Sequence, residues 1–542
     1  MSSHRIEVTT LGDLLLRAAD RYPGNDAIIF PEARLTYSEL HERAYARARS
    51  LLAMGLDRGD HVGILMPNCL EYVECLFAIQ LIGAMAVPVN ARYKATELAY
   101  VVENADLAAI LVTDITSEYA NFAELLCEAF PQLSTATDPL ALALPGEPAL
   151  RCVVMLGAST PPGLLSREAF EALSTSSGEA TDAAVDERRI CARLNDPAIM
   201  MYTSGTTSNP KGCPLSHEVL VRTGINMNRE RYFLTDADRF WVPLPMFHMS
   251  SILPLMCCLD AGAAMQSMTY FEAGAALEMM ERDVTTLAFP AFPTITNELI
   301  NHPDFKTRDL SQIRRINNVA PPDVLRKFQD AFPQAVQTGA YGLTETGGVI
   351  SFNHPDESLE QRLTGCGRVF PGVEVKIVDP ETDQELPAGE RGEILVRGYA
   401  VFDGYYKAPE KNAEAFTDGW FRTGDLCALD ADGHIEFHGR IKDMLKVGGE
   451  NVAALEIESY LANHPAVKLA QVIGVPDDRL LEVPAAYIEL NPNMFVSESE
   501  LIDFCKGKIA SFKIPRYVRF VDEWPMSSTK VQKFKLRDEF TP

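Results

Sequence analysis

Between Tyr202 and Gly212 the chain reads YTSGTTSNPKG, eleven positions that hold three Thr, two Ser, two Gly and one Lys. Hydroxyls, unhindered backbone amides and one ammonium are what a loop needs to hold a phosphate. It is not the Walker pattern GxxxxGK[ST]: Pro210 precedes Lys211 and Gly212 follows it, which disfavours a P-loop kinase or ATPase. Alone, the stretch would serve equally as a polar surface turn. Three further stretches carry compatible chemistry. YGLTETGG (Tyr341 to Gly348) offers an aromatic face for a base, two hydroxyls and the Glu345 carboxylate as an oxygen ligand for Mg²⁺. GWFRTGDL (Gly419 to Leu426) places Asp425 after a glycine, where a carboxylate can accept from both hydroxyls of a ribose. GRIKDMLKVGGENV (Gly439 to Val452) gathers Arg440, Lys442 and Lys446 before a double glycine. Taken singly, each could be a turn, a cap or a solvated charge cluster; chance does not explain their order in one chain.

The surrounding elements follow an α/β rhythm. TLGDLLLRAADRYP and YSELHERAYARARSLLAMG have helical spacing, and HVGILMPN and AMAVPVN are short apolar strands between such segments. A stretch rich in Ala, Ser and Thr, roughly Ala158 to Glu187, reads as a surface excursion. DPAIMMY then forms a strand running into the hydroxyl-rich stretch, and SHEVLVRTGINM a helix beyond it, so the stretch is expected at a strand-to-helix turn. Near the end, AALEIESYLANH (helix), AQVIGV and AAYIEL (strands), ESELIDFCKGKIA (helix) and YVRFV (strand) predict a separate α+β unit of about 100 residues.

Bulk properties bound the rest. A chain of 542 residues exceeds one core, and its 47% hydrophobic and 23% charged residues are ordinary globular composition. A formal net charge of −26 argues against a nucleic-acid backbone or an anionic membrane as main partner. The apolar run from Cys75 to Val89 carries Gln80, Gly83 and Pro88 and is too short to span a bilayer. Eleven cysteines without a CxxC pair read as reduced, mostly buried thiols, and the N-terminus lacks the layout of a signal peptide, so a cytoplasmic location without stable membrane insertion is expected.

With these motifs in this order, the chain resembles the adenylate-forming superfamily of acyl- and aryl-CoA synthetases, nonribosomal adenylation domains and beetle luciferases. The resemblance runs from LTYSEL near one end to KVQKFKLR near the other. It implies a large N-terminal multi-subdomain α/β domain over 1–438, with ATP and acyl pockets. A small mobile α+β lid would cover 439–542, hinged near Lys442. It also implies two half-reactions: a carboxylate and MgATP give acyl-adenylate and pyrophosphate, then the CoA thiol displaces AMP. Thr203, Ser204, Gly205, Thr206, Thr207 and Lys211 match the triphosphate loop. Tyr341 matches the adenine-stacking aromatic, Thr344 a phosphate contact, Glu345 the Mg²⁺ ligand, Asp425 the ribose carboxylate and Arg440 a ribose and phosphate contact. Lys446, Gly448 and Gly449 fall on the cofactor side, the glycines along the pantetheine route, and Lys530 stands as catalytic lysine. The implied partners are a small-molecule carboxylic acid, ATP and CoA, with Mg²⁺ as cofactor, and a homodimer is compatible.

The chain departs from the superfamily at three points. Ser208 stands where a Gly is usual, and NNVAPP (Asn317 to Pro322) replaces a GGAP-like run, leaving backbone contacts near Ala320 and an amide partner at Asn318. Ser528-Thr529-Lys530 lacks the usual glycine before the lysine, with Lys533 as the alternative. PMFHMSS (Pro245 to Ser251) matches the acyl gate, with His248 as gate residue; amino-acid adenylators usually carry Asp at that position. AFPAFPTI, QTGA and GGVI, the expected walls, contain no charged residue, and the small Gly339 and Ala340 suggest depth. An apolar pocket favours a medium- or long-chain, alicyclic or aryl acid. An acyl-AMP ligase loading a carrier protein and a non-catalytic nucleotide- or acyl-binding homologue are the alternatives.

Overall fold

Short strands of two to seven residues alternate with helices through the first two-thirds of the chain and assemble into two seven-stranded sheets. The computed structural model describes residues 8–144, 146, 149–176, 178, 180–203, 210–447, 450–477, 479–527 and 530–540. The first sheet runs, in spatial order, Leu165–Ser166, Cys152–Met155, Leu107–Val112, His61–Leu65, Met85–Pro88, Pro197–Thr203 and Lys211–Ser216. All its pairings are parallel except the last. The second runs Val336–Thr338, Arg315–Asn318, Leu287–Ala291, Arg239–Trp241, Ala264–Gln266, Asp26–Ile29 and Arg34–Thr36.

One apolar core joins the inner faces of both sheets through the helices Leu11–Arg21, Tyr37–Ala53, Leu70–Leu81, His217–Met227 and Met249–Ala261. Local signals set where these helices begin. Thr36 and Glu39 exchange side-chain-to-backbone hydrogen bonds of 2.8 and 3.2 Å, a capping box at the start of Tyr37–Ala53. The run from Cys75 to Val89 is split between the helix Leu70–Leu81 and the strand Met85–Pro88. Among the described residues, no helix is long and apolar enough to cross a membrane.

The expected excursion from Ala158 to Glu187 is instead part of the packed framework. It supplies the edge strand Leu165–Ser166 and the helices Arg167–Ser176 and Asp182–Arg189, and buries Phe170 and Val185 completely. Two apolar anchors in a polar stretch suffice to dock two short helices.

A five-stranded antiparallel sheet follows: Val373–Val378, Gly392–Gly398, Trp420–Leu429, Phe416–Thr417 and Ile435–Arg440. The last strand still pairs with Trp420–Leu429, and a short turn, Ile441–Asp443, leads into a separate sheet made of Glu450–Ala453, Met444–Val447, Leu481–Leu490, Val467–Asp477 and Tyr517–Phe520. That sheet packs its own core with the helices Ala454–Ala462 and Glu498–Cys505. The C-terminal α+β pattern expected from sequence is thus present, element for element.

Candidate functional site

The strand Pro197–Thr203 pairs antiparallel with Lys211–Ser216, bringing Thr203 opposite Lys211. The strand-to-helix turn expected here is therefore corrected: the hydroxyl-rich stretch joins two strands, and the helix His217–Met227 begins one strand later, capped by Ser216. KGCPLS buries Gly212, Cys213 and Leu215 at the sheet edge, which commits it to a strand before the helix can start. Ser204, Gly205, Thr206 and Thr207 lie outside the described residues, as do Gly448 and Gly449.

Lys211 is held beside Glu345. Its ammonium sits 4.0 Å from the ring centroid of Tyr405, and the Tyr405 hydroxyl donates to Glu345 Oε1 at 2.8 Å. Burial pulls the Lys211 pKa below its ordinary value while the Glu345 charge opposes it. Burial, reinforced by Glu345, pushes the Tyr405 phenol far up, so it remains a proton donor. Glu345 stands on the short turn Thr344–Thr346, whose Thr344 is half-buried at the same turn. A half-buried carboxylate that accepts from a hydroxyl offers the hard oxygen donor that Mg²⁺ takes, so the residues present fit Mg²⁺, which Glu345 would hold.

The second cluster forms on the antiparallel ladder of Trp420–Leu429 and Ile435–Arg440, whose register sets Asp425 opposite Arg440. Arg440 Nε lies 2.8 Å from Asp425 Oδ1, and the Tyr341 hydroxyl donates to Oδ2 at 2.8 Å. Asp425 is only 2% exposed. The Tyr341 ring lies 5.9 Å from Phe437, inclined by 31°, forming an aromatic pair beside the carboxylate. Burial, then Asp425, raises the Tyr341 phenol well above its usual value.

The remaining expected residues divide. His248 is half-buried at the start of the helix Met249–Ala261, its ring 4.8 Å from Phe247. Met246, Phe247, Met249, Phe289, Ala291, Ala340 and Val349, from the gate motif and the expected wall stretches, are all buried. Asn318 is a correction: fully buried, it accepts from Thr296 at 2.6 Å and donates to Gln337 at 3.0 Å, so its amide braces the wall and does not face a ligand. Ala320 lies two residues beyond the strand Arg315–Asn318, half-buried. Gly339 does not add depth: a Cβ there would meet Asn353 Oδ1 at 3.2 Å and the Gly365 carbonyl at 3.3 Å, so the missing side chain admits neighbouring chain. Lys446 is exposed on the strand Met444–Val447 of the C-terminal sheet, and among the described residues no hydrogen bond or ion pair joins it to Asp425 or Arg440.

Lys442 lies on the turn between the two sheets, Ile441–Asp443. Lys530 pairs with Ser527 in a two-residue ladder. Lys533, its rival, is committed to the C-terminal unit: its ammonium lies 2.5 Å from Glu458, which also accepts from the Val472 N–H at 2.7 Å. Sequence reasoning missed Tyr405 and Phe437. GYYK after Phe402-Asp403 held the only signal, an aromatic pair following a glycine, and Phe437 sits in an unremarkable strand.

This geometry agrees with what the chain is similar to. The family model described as AMP-binding enzyme matches residues 15–406, and that of the AMP-binding enzyme C-terminal domain matches 456–531. A putative acyl-CoA synthetase, YngI of Bacillus subtilis (strain 168), is 37% identical over 539 residues, 98% of this chain and 97% of the relative. The mitochondrial medium-chain acyl-CoA ligase ACSF2 of Rattus norvegicus is 35% identical over 545 residues, 98% of this chain and 87% of its own. The crystal structure of the anthranilate CoA ligase AuaEII in complex with anthranoyl-AMP superposes with a TM-score of 0.83 at 28% identity, covering 99% of this chain and 98% of that one. The chain belongs to the AMP-binding enzyme family, in its acyl- and aryl-CoA ligase branch, as an AMP-forming ligase that uses ATP to activate a carboxylic acid as its adenylate for transfer to CoA.

Proposed function

We propose that the acid is hydrophobic, a medium- or long-chain, alicyclic or aryl carboxylate, and that the two clusters described above hold ATP for its activation. The observation that carries the substrate class is that Met246, Met249, Phe289, Ala291 and Val349, from the gate motif and the stretches expected to wall the pocket, are buried in one apolar cluster, with Phe247 buried beside His248. A charged second group on the acid would meet no counter-charge among these residues, and leaving it unpaired would be costly. His248 stands where an amino-acid adenylator needs a carboxylate, so an α-ammonium would also lack a partner. The medium-chain specificity in the name of the ACSF2 relative is compatible with this reading.

In this reading, Asp425 and Arg440 take the ribose, Tyr341 the adenine, and Lys211, Thr344 and the hydroxyl-rich stretch the phosphates. Glu345 would hold Mg²⁺, whose charge would screen the phosphate oxygens. The chemical difficulty is anion against anion: at about 4 Å, each unit pair costs about 4 kcal/mol at an effective dielectric near 20. Lys530, carried on the lid, would add positive charge where it builds at the α-phosphate, and movement about Lys442 would withdraw it before the thiol arrives. The division into 1–438 and a lid from 439 serves that exchange.

Acid-dependent pyrophosphate release with MgATP tests the proposal, using short, medium, long-chain, aryl and dicarboxylic acids with and without CoA. Release and thioester formation with the monocarboxylic apolar acids, at least about 10-fold above dicarboxylates in kcat/KM, is expected from the cost of one unpaired polar group. Equal use of a dicarboxylate or an amino acid would overturn it.

A further inference from the structure

Lys211 and Glu345 are spanned by one side chain, that of Tyr405, and the chain segment that carries it is tied down at Phe402, Tyr405, Tyr406 and Lys407. Phe402 donates its N–H to the Glu345 carbonyl at 3.0 Å, while the Tyr406 N–H donates to the Gly212 carbonyl at 2.9 Å. Between them, Asn412 clamps Tyr405 from both sides: its Oδ1 accepts from the Tyr405 N–H at 2.7 Å, and its Nδ2 donates to the Tyr405 carbonyl at 3.0 Å. Gly404, at φ 134°, makes that clamp possible, because a Cβ there would meet the Asn412 amide at 2.9 Å. Beyond Tyr405, the Tyr406 hydroxyl donates to Asp106 at 2.7 Å and Lys407 pairs with the same carboxylate at 2.7 Å. The segment therefore bridges the Glu345 turn, the strand that carries Lys211 and the start of the interior strand Leu107–Val112 of the first sheet.

Tyr405 itself is 8% exposed. Its π face takes the ammonium and its hydroxyl takes the carboxylate, so the two charges are held on different parts of one rigid ring. A lysine and a glutamate at this proximity in a half-buried site would otherwise collapse into a direct ion pair, leaving neither for phosphate or cation. We propose that Tyr405 is a positioning residue that keeps Lys211 and Glu345 apart and oriented for the magnesium nucleotide. This rests on the assignment of Lys211 to phosphate and Glu345 to the cation given above. The ring and the hydroxyl have separable tasks: the ring aims Lys211, and the hydroxyl fixes the Glu345 carboxylate.

The test uses the full chain with Tyr405→Phe, Tyr405→Leu, Glu345→Gln, Lys211→Ala and the double variant Tyr405→Phe/Glu345→Gln. Acid-dependent pyrophosphate release is measured against free Mg²⁺ and against ATP, and ATP binding with and without Mg²⁺ is measured by calorimetry. Tyr405→Phe keeps the ring and should raise the Mg²⁺ needed for half-maximal rate about 10-fold, the worth of one hydrogen bond to a charged group, with little change in Mg²⁺-free ATP binding. Tyr405→Leu should in addition weaken Mg²⁺-free ATP binding by about 3- to 10-fold, the scale of a lost cation–π contact. In the Glu345→Gln background, Tyr405→Phe should cost less than 2-fold, because its partner carboxylate is gone. A merely structural tyrosine would give the same loss in both backgrounds, and that result would overturn the proposal. Unchanged Mg²⁺ dependence in Tyr405→Phe, with Glu345→Gln strongly impaired, would also overturn it while leaving the nucleotide assignment intact. Glu345→Gln and Lys211→Ala both behaving as wild type would sink the assignment itself.

Discussion

The two corners of the proposed nucleotide site, the ribose corner and the phosphate corner of that proposal, are built by different means. The ribose corner rests on a single antiparallel ladder: Asp425 and Arg440 face each other because of register, and Tyr341 closes on the same carboxylate from a neighbouring short strand. The phosphate corner draws Lys211, Glu345 and Tyr405 from three stretches separated by more than fifty residues each, and no strand register relates them. Its geometry depends on side-chain contacts, on the Asn412 clamp and on two isolated backbone hydrogen bonds, from Phe402 to Glu345 and from Tyr406 to Gly212. Ladder register is over-determined by many backbone hydrogen bonds, whereas a contact between side chains has only its own energy to hold it. The phosphate corner should therefore be the more easily disordered of the two, and more dependent on what the lid adds.

The largest expected effect follows from that dependence. Lys530→Ala should lower acid-dependent pyrophosphate release by about 10²- to 10³-fold, the usual loss for one preorganised donor at a developing charge. ATP binding should change little. Lys533→Ala should instead leave the rate near wild type and lower the stability of the lid by about 1–3 kcal/mol, because Glu458 loses its buried partner. Urea unfolding monitored alongside turnover separates the two. If the Lys533 variant loses turnover while folding normally, the roles of the lysines are exchanged.

Next in size is the ribose corner. Asp425→Ala should raise the ATP concentration needed for half-maximal rate about 10- to 100-fold, from the loss of charge-assisted hydrogen bonds to the sugar. The effect should fall on ATP and not on the acid. Equal effects on both substrates would mean that Asp425 supports the framework and not the sugar.

The elements of this site were legible in the sequence where local chemistry and local pattern coincide. Asp425 follows a glycine in a strand, Glu345 sits on a glycine-flanked turn, and the C-terminal helices and strands carry clean periodicity. The strand Lys211–Ser216 was not legible, because Gly212 and Pro214 within it read as turn residues and only the sheet edge makes it a strand. Tyr405 was invisible for a different reason: its partners are distant in sequence, and a tyrosine in a loop has no distinguishing type. Asn318 misled because an amide near a ligand motif looks available until burial shows both of its ends taken.

A pH scan sharpens the comparison further, since each corner leans on a histidine kept neutral. Burial pushes His217, at the head of the helix behind the phosphate corner, down to about 4, and its Nδ1 accepts from the Leu11 N–H at 3.2 Å. Burial and the nearby Arg391 push His438, two residues before Arg440, down to about 4 as well. A histidine whose folded pKa lies below its unfolded value of 6.5 contributes stability that is complete above 6.5. That contribution is lost as pH falls toward about 4, because only the unfolded chain takes the proton readily. The melting temperature should thus fall across that window, and His217→Gln should flatten the slope. An unchanged slope would assign the acid sensitivity to other groups.

The smallest effect is expected where the lid meets the larger region. Arg391 pairs at 2.9 Å with Glu456 on the lid helix Ala454–Ala462, and Lys513 of the lid pairs with the same carboxylate. The Arg391 side chain is 53% exposed, and ion pairs of that kind are worth about 0–1 kcal/mol, so Arg391→Ala should shift the lid equilibrium by no more than about 5-fold. Such a shift has a distinctive signature. It would change the adenylation and thioester-forming rates in opposite directions while leaving ATP affinity intact, because Asp425 and Arg440 belong to the ladder on the other side of the turn Ile441–Asp443. A parallel loss of both rates would instead tie Arg391 to the ribose corner, and the independence of ladder and lid would fail.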